Sequence, residues 1–269
     1  MDRIPRGRDR TAPHRTLRSA PPRQRGHPVK LDALVLGAHP DDAEISFGGT
    51  MLRWVDAGLR VGVLDLTRGE MGTRGTVEER DAETRAATQL LGLAWRGNAE
   101  LPDGRVEPSL PAREQIARTI RELRPDVLVA HHPTDLHPDH CAAGHLARQA
   151  WYLSGLARLA QQDGGPEAFR PGILLHFLGH IPADPTFVVD ISEVFERKMD
   201  VIRCYAKQLE PSGPDDRGQH FLFGADILAR AETKARFFGE RIGVRHGEAL
   251  VHDGPFPLDG TLARLFPRG

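Results

Sequence analysis

The sequence predicts an α/β fold, a single Rossmann-like domain with a mostly parallel sheet and an active site at the strand carboxyl ends. Three observations carry that expectation. Short branched apolar runs alternate with amphipathic segments of helical period, the pattern of parallel strands joined by right-handed crossovers. Two of the runs, residues 31–37 and 126–130, empty directly into histidine and aspartate. At 269 residues, 39% hydrophobic and 27% charged, the chain can bury the core of one large domain, and it shows no internal repeat or second boundary.

Leu34-Val35-Leu36, bounded by Gly37 and Pro40, reads as a buried strand ending in a turn. Residues 42–57 follow as a helix, with Ile45, Met51, Leu52 and Val55 near helical spacing, so Asp41 and Asp42 fall between strand end and helix start. One carboxylate there is ordinarily a cap, because the first helical turn leaves N–H groups unpaired and favours negative charge. Two adjacent aspartates after His39 ask for more. His39 and Asp42 are close enough across the turn to grip one ion, and Asp41 between them is left free to take a proton.

Residues 61–66 form a second expected strand. The glycine-rich stretch from Thr67 to Gly75 follows its carboxyl end, which in an open sheet is the ligand crevice, although glycines also suit a plain connection. A helix over residues 77–91 carries Ala82, Ala86, Leu90 and Leu91 on one face and stops at Gly92; Arg80 and Arg85 on it are either solvated or turned into the cleft. Leu93-Ala94-Trp95 is a short third strand, and residues 98–108 are loop by their Asn, Asp, Gly and Pro content. A helix opening at Ser109 or Pro111 turns Ile116, Ile120 and Leu123 inward and closes at Arg124-Pro125.

The fourth strand, residues 126–130, runs into the stretch from His131 to His140. His137-Pro138-Asp139-His140 opens a helix, with Pro138 where a missing N–H costs nothing, and the helix continues past Ala147, Ala150 and Leu153. Residues 164–171 read as loop, 173–178 and 187–191 as strands, 192–205 as a helix, 211–218 as a polar loop and 227–242 as a final helix. No element is assigned beyond Gly243.

Charge and composition narrow the function. A formal charge of −1 gives no reason to expect nucleic acid or an anionic membrane as partner. Two cysteines, Cys141 and Cys204, supply neither a disulfide framework nor a cysteine-based zinc site, which fits a reducing cytosol. No apolar run approaches the roughly 20 residues that cross a bilayer. Residues 1–29 stand apart as an arginine- and proline-rich tail, too poor in apolar surface to offset its ordering entropy, which leaves the body from residue 30 onward acidic. The tail has the arginine content of a transit peptide but lacks the apolar segment of a secretory signal.

Two strand ends together supply His39, Asp42 and His140. Two imidazoles and a carboxylate are the protein ligands of a catalytic zinc, which keeps a further position for water. The facial triad of Fe(II) oxygenases uses the same donors, so ligand type leaves the metal open. His131 and His132 are read as hydrogen-bonded loop residues.

These residues also carry a resemblance. His39-Pro40-Asp41-Asp42 after one strand and His137-Pro138-Asp139-His140 after a later one resemble the LmbE-like, or PIG-L-type, N-deacetylase superfamily. The stretch from Gly69 to Thr76, the segment from Phe187 to Ser192, and Lys198-Met199 through Tyr205 and Gln208 are similar to its bacillithiol-biosynthesis branch, whose members deacetylate N-acetylglucosaminyl malate. The likeness covers residues 31–250 and makes residues 30–269 the deacetylase domain. It implies one zinc per chain on His39, Asp42 and His140. It also implies Asp41 as the base, His137 facing the developing oxyanion, and Arg74, Arg80 and Arg170 as substrate contacts; on physical grounds Asp139, two residues on, is expected to hold a protonated His137 charged. A cytoplasmic homo-oligomer acting on a small GlcNAc conjugate, without nucleic-acid or membrane partners, goes with the resemblance.

The chain departs from the branch at three places: His246-Gly247-Glu248 stands where Tyr-Ala/Gly-Glu is common, Lys207 replaces a serine, and Leu136 replaces an arginine. A chitooligosaccharide, GlcNAc-inositol or thiol conjugate is therefore the alternative substrate. From other classes, a non-catalytic sugar- or nucleotide-binding module would not need Asp41, and a metal phosphoesterase would want more carboxylates or a second metal. His39-Pro40-Asp41 occupies the turn where a dinucleotide site has its glycines.

Overall fold

Branched apolar runs become interior strands here because helices cover both of their faces. The computed structural model describes residues 29–209 and 227–255. Strands β1 (Ala33–Gly37), β2 (Val61–Asp65), β4 (Val127–His131) and β5 (Ile173–Phe177) are buried along their whole length. Alternate residues feed two cores. Ala33 and Val35 pack with Phe47 and Met51 of α1 (Asp42–Asp56), Leu91 of α2 (Val77–Leu91) and Ile202 of α6 (Phe195–Arg203). Leu34 and Leu36 pack on the other side with Ile116 and Ile120 of α3 (Leu110–Leu123) and Leu146 and Ala150 of α4 (Pro138–Ser154).

With β3 (Trp95–Asn98), β6 (Phe187–Asp190) and β7 (Gly247–His252), the described strands form one seven-stranded sheet, in the order β3-β2-β1-β4-β5-β7-β6. β1 pairs in parallel with both β2 and β4, and β4 in parallel with β5, so Gly37, Asp65 and His131 all finish at the same edge. That is the edge at which an open α/β sheet binds ligands. The helix punctuation is local: Thr76 and Glu79 form a reciprocal capping box on α2, and Ser109 caps α3.

Several elements differ from expectation. β3 is Trp95–Asn98 rather than residues 93–95, an edge strand whose start is set by pairing Trp95 with Gly62. A short α5 (Ala157–Gln162) follows α4, and the helix expected from Ser192 begins at Phe195, after a turn in which Asp190 accepts the Ser192 N–H. A four-residue α7 (Ala206–Leu209) follows α6, and α8 spans Ile227–Glu240. β7 (Gly247–His252) was not foreseen: it lies antiparallel between β5 and β6 (Phe187–Asp190). It brings Glu248 under the middle of α1, where the carboxylate accepts the N–H groups of Gly49 (2.9 Å) and Thr50 (2.7 Å) and pairs with Lys198 Nζ at 2.7 Å. The basic tail up to residue 28 and the polar loop at residues 211–218 lie outside the described residues. No described helix is long and apolar enough to cross a membrane.

Candidate metal centre

The turn from β1 to α1 is short, and its last residue is strained. Asp41 has φ 116°, in the left-handed region that a non-glycine residue occupies only at a cost on the order of 1–3 kcal/mol. Its carboxylate forms no cap bond to α1, which removes the ordinary explanation for an aspartate at this place. Asp42 does the local work instead, accepting the His39 N–H at 2.8 Å.

His39, Asp42 and His140 converge: one donor atom from each lies within 4.8 Å of the others. His39 Nδ1 is 3.2 Å from Asp42 Oδ2, and His140 Nε2 is 3.1 Å from Asp42 Oδ1. The opposite nitrogen of each ring faces a carboxylate. His39 Nε2 meets Asp103 Oδ1 at 3.0 Å and Asp139 Oδ2 at 3.3 Å, while His140 Nδ1, buried and without a hydrogen bond, faces Asp135 Oδ2 at 3.5 Å. An imidazole whose outer N–H points at a carboxylate presents its inner lone pair to a metal, so the donor set fits a divalent ion. Two other groupings share its histidines, His39 with His137 and Asp139, and His140 with His131 and Asp135. In the first, Asp139 already accepts from Gly104 N (2.7 Å) and Val106 N (3.2 Å), and in the second, His131 Nε2 accepts from Ala38 N at 3.1 Å.

The charges follow from these contacts. Burial pushes the Asp41 carboxyl up to about 7, against the pull of Arg80. Burial would also raise Asp42, but His140 above all holds it well below the carboxylate range. Burial depresses imidazoles, yet Asp103, Asp139 and Asp42 keep His39 well above its ordinary value, and Asp42 with Asp135 lifts His140 to about 9. At His131 the pull of Asp42 does not offset the rest: burial and then His140 bring it down to about 4. His131 is hydrogen-bonded, as read from the sequence, but it is the last residue of β4 and not part of the loop expected there.

His137 and Asp139 need a correction. Asp139 does not hold His137 charged, because its carboxylate reaches forward to His39 and the loop amides of Gly104 and Val106. His137 is the N-cap of α4, its Nδ1 accepting the Asp139 N–H at 3.2 Å, and burial followed by His140 and His39 lowers its pKa. A neutral ring that accepts at Nδ1 carries its proton on Nε2.

The three arginines separate. Arg80 is buried under the turn after β2, where a Cβ on Gly69 would overlap its guanidinium, and it donates to Gln208 Oε1. Arg74 is buried beside it and donates to the Gln208 carbonyl at 3.2 Å. Arg170 is not at the site. It precedes β5, so a parallel sheet places it at the opposite edge, where it donates to the Tyr152 carbonyl (2.8 Å) in the last turn of α4 and lies over the Tyr152 ring at 4.6 Å.

Sequence reasoning missed Asp103 and Asp135, both isolated loop aspartates. The signal available was the general need of a metal-binding histidine for an outer carboxylate, which would have directed attention to acids in the loops beside His39 and His140. It also missed the buried set beneath the turn, in which Arg96 grips Asp65 with two bonds (2.8 and 2.9 Å) and reaches Glu44 at 2.5 Å.

Comparison with known proteins gives a consistent picture. The family model described as PIG-L, GlcNAc-PI de-N-acetylase, matches residues 34–151. A 1D-myo-inositol 2-acetamido-2-deoxy-alpha-D-glucopyranoside deacetylase of Kineococcus radiotolerans is 32% identical, over 87% of this chain and 81% of that one. A diacetylchitobiose deacetylase of Thermococcus kodakarensis is 29% identical, over 81% of each chain. Among solved structures, the conserved protein TT1542 of Thermus thermophilus superposes with a TM-score of 0.74 and 37% identity, covering 85% of this chain and 97% of that one.

Proposed function

Because this chain belongs to the PIG-L, LmbE-like family of N-deacetylases, we propose that it removes the acetyl group of a GlcNAc conjugate by metal-assisted amide hydrolysis. The observation that carries the reading is the convergence of His39, Asp42 and His140 beside a strained Asp41 that caps nothing. Zinc held by those three ligands supplies, when bound, a water acidic enough to attack an amide near neutral pH.

The chain's own residues do the rest. Asp41, its carboxyl raised by burial, accepts the proton of the attacking water and passes it to the leaving amine. His137 donates its Nε2–H to the carbonyl oxygen as negative charge gathers there, acting as a neutral donor rather than as a cation. The Asp139 amide and the α4 cap fix the ring for that task.

For the substrate, GlcNAc-malate is the narrower reading. Its support is Arg80, a guanidinium whose charge reaches Asp41 and which suits a carboxylate through bidentate bonding. Arg170 and Leu136 do not add to it, and a neutral sugar conjugate is what a site with fewer cations would favour. An acetate-release assay on GlcNAc-malate, GlcNAc-inositol and diacetylchitobiose, run beside phosphate release from phosphoesters, tests the proposal. Acetate from at least one conjugate is expected; phosphate without acetate overturns it.

A further inference from the structure

Asp135 sits in the loop between β4 and α4, outside both histidine motifs, yet its side chain is fully buried. Its oxygens accept from Leu136 N (2.5 Å), His137 N (3.3 Å), His180 N (3.1 Å) and His180 Nδ1 (2.8 Å). The remaining direction of Oδ2 faces His140 Nδ1, and the His140 and His180 rings stack at 5.2 Å with 10° between planes. A second observation marks this as a built arrangement. Gly179 passes so close that a Cβ on it would overlap Asp135 Oδ2 and lie 3.4 Å from His140 Nδ1. The chain leaving β5 thus lacks a side chain at the point where the carboxylate meets the imidazole.

We propose that Asp135, backed by His180, is the positioning residue that sets the tautomer and orientation of His140 for metal binding. The inference rests on the metal-centre reading above and adds residues to it. A proton on His140 Nδ1, directed at Asp135, leaves the Nε2 lone pair turned toward Asp42 and the other donors. His180 donates to the same carboxylate from the far side and keeps it from swinging away. The rival account makes Asp135 a loop staple for the Leu136 and His137 amides alone.

The test is the zinc dissociation constant of the folded protein, measured by competition with a chromogenic chelator, for wild type, Asp135→Asn and Gly179→Ala. Asp135→Asn keeps an acceptor for the amides but loses the carboxylate, and Gly179→Ala keeps the carboxylate but displaces it. Both are expected to weaken zinc binding by about 10- to 100-fold. In zinc-loaded protein the His140 Nδ1–H resonance, downfield in wild type, is expected to move upfield in Asp135→Asn, a change that a mere staple would not cause. Wild-type zinc affinity in a folded Asp135→Asn overturns the proposal. If that variant does not fold, wild-type affinity in Gly179→Ala does so. A wild type that binds no zinc would remove the metal-centre reading itself, a result distinct from intact binding by the variants.

Discussion

His39 Nε2 lies 3.0 Å from Asp103 Oδ1, and that contact turns the Nδ1 edge of the ring toward Asp42. Two loops, after β1 and after β3, therefore determine which nitrogen of His39 is offered to an ion.

Removing the ion or a ligand should remove activity together. His39→Ala and Asp42→Ala are expected to retain no stoichiometric metal by elemental analysis and to release no acetate, while Asp103→Asn keeps metal at an affinity lowered about 10- to 100-fold. Chelation should also lower the melting temperature, since an ion at 100 times its dissociation constant stabilises the fold by about 2.7 kcal/mol. An unchanged melting curve in chelator would count against the site.

Asp41→Asn should keep the metal and lose about 10²- to 10⁴-fold in kcat, because an amide cannot take the proton. Asparagine tolerates the left-handed backbone at this position, so the variant should melt as wild type does. Normal turnover with full metal occupancy would remove Asp41 from the mechanism.

Acid stability should depend on His131. Folded, its ring is protonated only below about 4, whereas unfolded it takes a proton below its ordinary 6.5. Between those values the unfolded chain holds more protons, so stability falls as pH drops from 6.5 toward 4, by about 3 kcal/mol in total from this group. Asp41 and Asp65, raised to about 7 and about 6, act in the opposite direction in wild type and variant alike, so the readout in metal-free protein is a difference: His131→Asn should gain melting temperature relative to wild type as pH drops over that range. A difference that stays constant with pH would assign the effect to other groups.

The arginines give a paired prediction. Arg80→Ala should raise KM for GlcNAc-malate about 10- to 100-fold more than for diacetylchitobiose, since a charge-assisted bond worth about 1.5–3 kcal/mol is made by one ligand only. Arg170→Ala, at the far edge of the sheet, should leave both KM values unchanged. Equal losses for Arg80→Ala on the two substrates would point to a neutral conjugate.

Glu248→Ala should destabilise the protein by about 3–5 kcal/mol, because it strands Lys198 as a buried cation and leaves the Gly49 and Thr50 amides without the carboxylate. Urea denaturation measures this as a shift in midpoint; a loss under 1 kcal/mol would mean that water replaces the carboxylate.

Most of the sheet was legible because β1, β2, β4 and β5 are buried on both faces and so read as unbroken apolar runs. The histidine motifs were legible because they follow such runs directly, and parallel strands end at one edge. β7 was not: Gly247-Glu248 opens it, and its pairing with residues 175–177 and 187–190 is long-range and antiparallel. Asp103 and Asp135 act on histidines in other loops or later in the chain, with no periodicity to reveal them. Arg170 was misplaced for the opposite reason, since a residue just before a parallel strand belongs to the edge away from the site.

The position of β7 also imposes an order on the making of the molecule. Among the described residues β6 has β7 as its one sheet neighbour, and β7 pairs with β5 on its other side. All five parallel strands have left the ribosome once residue 177 has emerged, but until β7 follows, β5 has no partner on its outer side, and an open edge of that kind recruits strands from other molecules. Lys198 lacks its Glu248 partner through the same interval. Both conditions end when residues 247–252 leave the ribosome, so a translational pause before them prolongs the period in which the chain is most prone to aggregate.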